Sequence, residues 1–150
     1  MNYWWVSQGN YYAIELKWGY LWVPQWHKSG KTIHHWERIK ELETGDIVFS
    51  YVDQSIAAVS KVISEFYEAN RPIPMPERDV IKEGFRVDLK CNPLPKPLKI
   101  YQIIYDLQQI LSKQTRYKPL NKNGHGNQGY IFPLIDEAGE YLLKKTGFES

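Results

Sequence analysis

Residues 34–61 read HHWERIKELETGDIVFSYVDQSIAAVSK, and this stretch decides the fold because three local structures follow one another in it. Its first part places Trp36, Ile39 and Leu42 three residues apart, as on one face of a short helix. The turn-forming run TGD interrupts that period, and two apolar runs rich in β-branched residues, IVFSYV and IAAVSKVI, follow it. Residues 53–54 form the turn between these runs. The stretch therefore predicts a helix that leads directly into a β-hairpin.

The rest of the chain predicts short strands separated by short helices. In order, we expect a strand at 3–7, a helix at 11–18 ended by Gly19, a strand at 20–23, an extension of the hairpin through 63–67, a proline-broken loop at 71–79, a strand at 84–91, an outward turn at 92–95, a helix at 100–111, a flexible loop at 121–129, a strand at 130–134 and a closing helix at 136–145. Few long βαβ crossovers occur in this order, so it predicts a small mixed β-barrel with helices outside, in an α+β fold. At 150 residues the chain is expected to form one domain.

Composition limits the classes of protein to which the chain can belong. The formal net charge is +2 and the pI is about 8.5, so nucleic-acid binding cannot rest on a broad basic face. The single cysteine, Cys91, excludes an internal disulfide and suits a reducing cytoplasm. No apolar run approaches the ~20 residues of a membrane span, and the N-terminus lacks a signal-peptide pattern. We therefore expect a cytoplasmic protein without a membrane partner.

Aromatic residues make up 15% of the chain, with six Trp, eleven Tyr and five Phe. Large rings fill protein cores, and they also stack on flat ligands such as nucleic-acid bases. Many of them lie near the N-terminus, among them Trp4, Trp5, Tyr11, Tyr12, Trp18, Tyr20, Trp22, Trp26 and Trp36. A domain of this size cannot bury all of these rings in its core, so some of them are candidates for ligand contacts.

The sequence contains no recognisable frame for catalysis or for metal binding. His34 and His35 are adjacent, so on a helix they point about a hundred degrees apart and cannot chelate one ion. With one cysteine there is no set of thiolate ligands. Ser7 and Cys91 are the available nucleophiles, and neither lies in a G-x-S-x-G or comparable motif. We predict a binding domain without a metal or cofactor, and a small hydrolase that uses Ser7 or Cys91 is the alternative.

Several rings and polar side chains are expected to meet at the ends of the predicted strands. They are Trp5, Ser7, Gln8, Asn10, Trp22, Trp36 and Tyr51. A pocket for an extruded base needs flat apolar walls for stacking, and amide or hydroxyl groups that meet the Watson–Crick edge. Both kinds of side chain are present in this group. A barrel core with a polar rim would give the same residues, so the pattern alone leaves both interpretations open.

The order of several sequence strings resembles the EVE domain of the PUA-like superfamily. The strings are YWWVSQGN, GYLWVP, the stretch that begins HHWERIK, GFRVDLKC followed by LPKPLKI, and NQGYIFPL. The likeness extends from Tyr3 to about Leu143. Its most telling part, from Trp36 to Tyr51, has the pattern W-x-x-hydrophobic-K-x-x-x-x-G-D before a hydrophobic strand. The resemblance implies a small curved β-barrel flanked by short helices, with a pocket in its mouth for a flipped modified base.

EVE domains are similar to the YTH readers of methylated adenine, and this likeness implies positions for base-binding residues. The segment GYLWVP matches the YTH segment that supplies a cage tryptophan, so Trp22 is the expected stacking ring and Val23 lies beside it. The second wall of the cage is assigned to Trp36 or Tyr51. The other residues expected in the pocket are Trp5, Ser7, Gln8 and Asn10, of which the last three match the polar end of the first YTH strand.

EVE-like modules stand at the N-terminus of modification-dependent restriction enzymes, joined to HNH nuclease or McrB-type motor domains. The resemblance therefore implies that residues 1–150 form a non-catalytic specificity module of a larger restriction or defence protein. Its expected partner is double-stranded DNA, with 5-methylcytosine or 5-hydroxymethylcytosine favoured over N6-methyladenine. The modified base would flip into the aromatic pocket, and Lys28, Lys31 and Lys122 would contact phosphates. A reader of modified RNA and a structural or protein-interaction module are the alternatives.

Overall fold

The computed structural model describes residues 1–9, 12–25, 34–72 and 82–148. Its elements are β1 (Tyr3–Ser7), α1 (Tyr12–Trp18), β2 (Tyr20–Pro24), α2 (His34–Glu37) with a 3₁₀ turn at Arg38–Glu41, β3 (Ile47–Val52), β4 (Ser55–Val62), β5 (Tyr67–Asn70), β6 (Glu83–Lys99), a 3₁₀ turn at Ile100–Gln102, α3 (Ile104–Leu111), β7 (Ile131–Leu134) and α4 (Asp136–Thr146). The predicted sequence of strands and short helices is present in this order.

The described strands form one mixed sheet in the order β2-β6-β4-β3-β1-β7, and β5 pairs with β6 beside β2. The pair β1 and β3 is parallel, and the other pairs are antiparallel. Strand β6 is 17 residues long. Its first part, 84–88, pairs with β2, and its second part, from Leu89 onward, pairs with β4. Because one bent strand belongs to both parts, the sheet curls into a half-barrel.

The stretch around 34–61 folds as the sequence predicts. The hairpin turns at Asp53 and Gln54, whose φ angles are 49° and 60°. Just before β3, the buried carboxylate of Asp46 accepts hydrogen bonds from the backbone N–H of Asn2 and from Nε1 of Trp4, both at 2.9 Å. Asp46 also accepts the N–H of Glu43 at 3.0 Å. The Asp46 carboxylate therefore links the start of β3 to the start of β1 through hydrogen bonds.

Alternate residues of β1 enter two different cores, as the period of a strand requires. Tyr3 and Trp5 lie in a core that packs against α3 and α4. Trp4 and Val6 lie in a second core inside the half-barrel, which also contains Ile39 from the 3₁₀ turn after α2. Both faces of β1 are therefore buried, and its C-terminal end carries the next polar residues, Ser7 and Gln8, into the interior.

Two predictions about elements are wrong. Strand β4 ends at Val62, and the chain forms the separate strand β5 instead of an extension through 63–67. The predicted outward turn at 92–95 lies inside β6, because Asn92 and Pro93 pair with β4 and the pairing resumes at Leu98 after a register shift. Arg38, in the 3₁₀ turn after α2, is buried. Its guanidinium donates to the Ile131 carbonyl at 2.7 Å and lies 3.8 Å from the Tyr117 ring centroid.

Candidate nucleic-acid interface

A buried carboxylate gathers polar groups at the C-terminal end of β1. The side-chain amide of Gln8 donates through Nε2 to Oε1 of Glu15 at 3.1 Å. The other carboxylate oxygen, Oε2, accepts the backbone N–H of Trp22 at 3.4 Å and the hydroxyl of Tyr130. We call these four residues the Glu15 cluster. It joins β1, α1, β2 and the start of β7.

Helix α1 positions the carboxylate. Glu15 is its buried residue, although a carboxylate is rarely buried. Ile14 of the same helix packs against Tyr20 and Trp22, so α1 lies across β2. The helix ends at Gly19, whose φ is +70° and whose N–H donates to the Glu15 carbonyl at 2.8 Å. The left-handed conformation turns the chain directly into β2, which keeps Glu15 against the Trp22 backbone.

Burial dominates the electrostatics of the Glu15 cluster. It raises the pKa of Glu15 to about 7, although the hydrogen bonds from Tyr130, Gln8 and Trp22 act to lower it. Burial and the neighbouring Glu15 raise the pKa of Tyr130 well above 10. The same two causes raise the pKa of Tyr20 to about 12, against the lowering effect of Arg86. At neutral pH the hydroxyls of Tyr20 and Tyr130 therefore stay protonated, while Glu15 is present in both its protonated and its ionised form.

Four buried polar atoms in this region have no hydrogen-bond partner among the described residues. They are Oε1 of Gln8, the hydroxyl of Tyr20, Oγ of Ser7 and Nε1 of Trp5. Buried polar groups are normally paired, and an unpaired one costs about 1–3 kcal/mol. Gln8 and Tyr20 lie at the Glu15 cluster, so their free acceptor and hydroxyl are suited to a polar ligand beside β2.

The indole of Trp22, whose backbone N–H belongs to this cluster, is held on two sides. Its side chain is 8% exposed, and its Nε1 donates to the Ala69 carbonyl of β5 at 2.9 Å. The ring rests on Gly84 of β6, where a side chain would overlap it. Arg86 of the same strand lies 4.4 Å from the ring centroid of Tyr20. The ring of Trp22, the guanidinium of Arg86 and the polar groups of Gln8 and Tyr20 therefore lie on one side of β2.

The predicted base-binding residues do not all lie together. Gln8 and Trp22 lie at the Glu15 cluster. Trp5 is fully buried on the other face of β1, where its ring centroid is 4.8 Å from that of Tyr51. Ser7 pairs with Tyr51 in the sheet and lies on that same face.

Val23 and Trp36 occupy a third environment. Val23 is 1% exposed inside the half-barrel core, and the half-buried Trp36 packs against the same core. Val23 therefore contributes an apolar side chain to the core, away from the ring of Trp22 on the opposite face of β2.

The predicted phosphate contacts are only partly covered by the structure. Asn10, Lys28 and Lys31 lie outside the described residues. Lys122 is exposed in the loop 121–129, and Gly126 of that loop contacts the Tyr51 ring. The loop is held by the side chain of Asn121, whose Oδ1 accepts the backbone N–H of residues 123 and 125 at 2.9 and 3.0 Å. Lys122 therefore lies on an ordered loop at the same end of the sheet as Gln8.

Sequence reasoning missed Glu15, Tyr20 and Tyr130 as members of the site. One signal for Glu15 was available: it shares the apolar helical face of Ile14 and Trp18, where a solvated carboxylate is not expected. Tyr20 and Tyr130 had no such signal, because a tyrosine fits either face of a half-buried strand.

Within the parts of the chain that the structure describes, no group of three or more His, Cys, Asp or Glu side chains could hold a metal ion. The described helices include none that is long and apolar enough to cross a membrane.

The curled mixed sheet with its flanking helices has the α+β fold that the sequence predicted. No protein-family model matches the sequence, and no curated protein matches it. Solved structures share this fold.

Human THYN1 protein, solved in complex with DNA containing 5-methylcytosine, matches with a TM-score of 0.60 and 15% identity over 100% of both chains. The DUF55 domain of human thymocyte nuclear protein 1 matches with a TM-score of 0.59 and 14% identity, over 98% of this chain and 99% of that one. A Rhodopseudomonas palustris protein gives a TM-score of 0.55 and 15% identity, over 100% of this chain and 97% of that one. At such identities the likeness is one of fold.

Proposed function

We propose that this chain is a non-catalytic reader of double-stranded DNA, which binds a modified base flipped out of the duplex. The observation that carries the proposal is the buried Oε1 of Gln8, which has no hydrogen-bond partner among the described residues, on an amide that Glu15 links to the backbone of Trp22. The full-length likeness to a protein solved with 5-methylcytosine-containing DNA supports the same function. We therefore favour 5-methylcytosine or 5-hydroxymethylcytosine over N6-methyladenine.

The proposed pocket uses two kinds of contact. Trp22 provides the ring on which the flipped base stacks, and Gln8 provides a hydrogen-bonding group for the Watson–Crick edge. A methyl group that fills an apolar notch contributes about 0.8 kcal/mol, which is the transfer free energy of one methylene. Because that gain is small, selectivity also depends on the edge contacts and on the cost of opening the base pair.

The remaining predicted residues take supporting roles in this proposal. Trp5 and Val23 are enclosed in the two cores and hold β1 and β2 in place. Tyr51 accepts the backbone N–H of Gln8 through its carbonyl at 2.9 Å, so it fixes the end of β1, where Ser7 also lies. Trp36 packs against the half-barrel core and Tyr51 lies on the Trp5 face of β1, so neither forms the second wall beside Trp22 in this proposal.

Phosphate contacts complete the proposed interface. Lys122 is exposed on the ordered loop beside Tyr51, and Lys28 and Lys31 are proposed for the same role from the sequence alone. The net charge of +2 is consistent with a small number of phosphate contacts around a pocket. An N-terminal role in a restriction protein with an HNH nuclease or McrB-type motor domain is part of the proposal and rests on the sequence resemblance.

The two nucleophiles of the hydrolase alternative have unsuitable surroundings. Ser7 Oγ has no hydrogen-bond partner among the described residues, so no base there activates it. Burial raises the pKa of Cys91, which keeps its sulfur as an unreactive thiol at neutral pH. These observations favour a binding function over hydrolysis.

A binding screen tests the proposal directly. Matched DNA and RNA oligonucleotides carry cytosine, 5-methylcytosine, 5-hydroxymethylcytosine, adenine or N6-methyladenine at one position, and Kd is measured by fluorescence anisotropy. We expect the tightest binding for duplex DNA with a modified cytosine. Equal binding of modified and unmodified DNA would overturn the proposal, and preference for methylated RNA would replace it with the RNA alternative.

A further inference from the structure

We infer that Glu15 sets the orientation of the Gln8 amide so that the pocket reads the 4-amino group of the flipped base, accepting 5-methylcytosine and rejecting thymine. The inference rests on the proposed function and adds the chemical group that the pocket recognises. Its basis is the hydrogen bond from Nε2 of Gln8 to Glu15 and the unpaired Oε1 on the other side of the same amide.

A side-chain amide carries a donor and an acceptor that differ little in shape, so its orientation depends on its partners. An ionised carboxylate only accepts hydrogen bonds. Glu15 therefore attracts the NH₂ group of Gln8 and turns Oε1 away from itself. Gln8 is 6% exposed, and its buried Oε1 has no partner among the described residues, so a ligand group that donates a hydrogen bond would satisfy it.

The carboxylate is itself fixed, so it cannot turn to suit the amide. Its second oxygen accepts the backbone N–H of Trp22 at 3.4 Å and the hydroxyl of Tyr130. A backbone N–H can only donate, and it belongs to a strand that pairs with β6. The Trp22 N–H therefore fixes the Glu15 carboxylate, and the carboxylate in turn fixes the orientation of the Gln8 amide.

A comparison of binding by two natural bases tests this contact separately from the others in the pocket. 5-Methylcytosine and thymine carry the same methyl group and rings of the same size, but the group at position 4 is an amino donor in the first and a carbonyl acceptor in the second. The free hydroxyl of Tyr20 can rotate to donate or accept, so it does not discriminate between them. Oε1 of Gln8 pairs with the amino group and opposes the carbonyl.

Glu15→Gln should reverse the amide of Gln8. The new side chain must still present an acceptor to the Trp22 N–H, so its carbonyl oxygen takes the place of Oε2. Its NH₂ group then faces Gln8 and attracts Oε1. The NH₂ group of Gln8 turns to the ligand, where it suits the carbonyl of thymine and opposes the amino group of 5-methylcytosine.

The experiment measures Kd for the full chain with two DNA duplexes that carry 5-methylcytosine or thymine opposite an abasic site, which removes the difference in base pairing. It is carried out at about pH 8, where Glu15 is mostly ionised. We expect the wild type to bind 5-methylcytosine about tenfold more tightly than thymine. The amino group of 5-methylcytosine gains a hydrogen bond to Oε1, whereas the thymine carbonyl is repelled by the same oxygen. For Glu15→Gln we expect the ratio to fall to about one or to reverse.

A charge control and a second variant accompany this test. Glu137→Gln makes the same change of charge on α4, which packs on Tyr3 at the other end of β1, and it should leave the ratio unchanged. Gln8→Met removes both amide groups at similar length, so it should bring the ratio to about one even where Glu15→Gln fails to fold.

The outcomes distinguish this inference from the function on which it rests. A folded Glu15→Gln or Gln8→Met protein that keeps the wild-type ratio overturns the inference and leaves the reader function standing. Equal binding of 5-methylcytosine and thymine by the wild type also overturns the inference and leaves the reader function standing. A wild type that binds neither duplex more tightly than unmodified DNA overturns both.

Discussion

The indole of Trp22 occupies the space that a side chain at position 84 would need, because a Cβ built on Gly84 would lie 2.3 Å from Cε2 of the indole. Real Cβ atoms essentially never come this close to another atom, so either the ring or strand β6 must move if Gly84 gains a side chain. The glycine therefore positions the ring that we propose as the stacking surface.

Gly84→Ala should displace this ring. We expect a loss of about 1–3 kcal/mol of stability from overpacking, measured by urea denaturation, and a weaker preference for modified DNA. Gly9→Ala is the control for stability, because its added Cβ would meet nothing within 4 Å. A Gly84→Ala protein with wild-type stability and binding would show that the ring is not held by this contact.

Trp22→Phe should weaken binding while preserving the fold better than Trp22→Ala. The smaller ring offers less stacking area and loses the hydrogen bond from Nε1 to the Ala69 carbonyl. Removal of the whole ring in Trp22→Ala should cost about 1–3 kcal/mol of binding free energy. Circular dichroism establishes that each variant is folded, and a folded Trp22→Ala protein with undiminished discrimination would remove Trp22 from the site.

The stability of the protein should depend on pH through Glu15. Its pKa rises from 4.5 in the unfolded chain to about 7 in the folded one, so its stabilising contribution is complete below about pH 4.5 and is lost as the pH rises to about 7. Relative to Glu15→Gln, the wild type should lose about 3 kcal/mol of unfolding free energy across this window. Parallel pH profiles for the two proteins would contradict the raised pKa.

The preference for 5-methylcytosine over thymine should fall as the pH drops through about 7. A protonated Glu15 donates to Gln8 Oε1 and so acts like the Glu15→Gln substitution. The tyrosines and the thiol near this carboxyl keep their protons in the window, because the pKa values of Tyr20, Tyr130 and Cys91 are raised. A ratio that is constant from about pH 6 to pH 8 would refute this switch.

Salt dependence should report few phosphate contacts. With about two to five contacts, the slope of log Kd against log salt is shallow, and Lys122→Ala should reduce it by about one. Lys144→Ala, which removes an exposed cation from α4, serves as the control and should leave the slope unchanged. A slope that corresponds to about ten contacts would indicate a broad basic interface instead.

Local sequence patterns predicted most of the fold because they are set by neighbouring residues. The alternation in β1 and the turn at Gly19, with its φ of +70°, depend on the chain within a few residues. The continuation of β6 through its prolines could not be predicted in this way, because it depends on pairing with β4 more than thirty positions away along the chain.

The candidate site was predictable only in part, for the same reason. Trp22 and Gln8 stood out as a ring and an amide near strand ends. Glu15 becomes important only when α1 packs across β2 and encloses its carboxylate, which is a tertiary event. Arg38 shows the same dependence on tertiary structure, because its charged helical segment gives no sign that its guanidinium is buried and donates to the Ile131 carbonyl.

In the proposed complex, a modified base leaves the duplex and enters the pocket beside Trp22. A groove reader would need a presented helix or ribbon with base-reading side chains. The 3₁₀ turn after α2 offers none of this kind, because Arg38 is buried and Lys40 is paired with Glu37 at 2.8 Å.

The most direct measurement places 2-aminopurine beside 5-methylcytosine in a duplex and follows its fluorescence as the protein binds. Extrusion of the neighbouring base removes its stacking, so we predict an increase in fluorescence with wild type and none with a folded Trp22→Ala protein. We also predict tighter wild-type binding when the target lies opposite an abasic site, because the cost of opening the pair is then absent. Unchanged fluorescence, together with binding that is indifferent to the opposing base, would contradict the pocket and indicate contact with the DNA surface or groove.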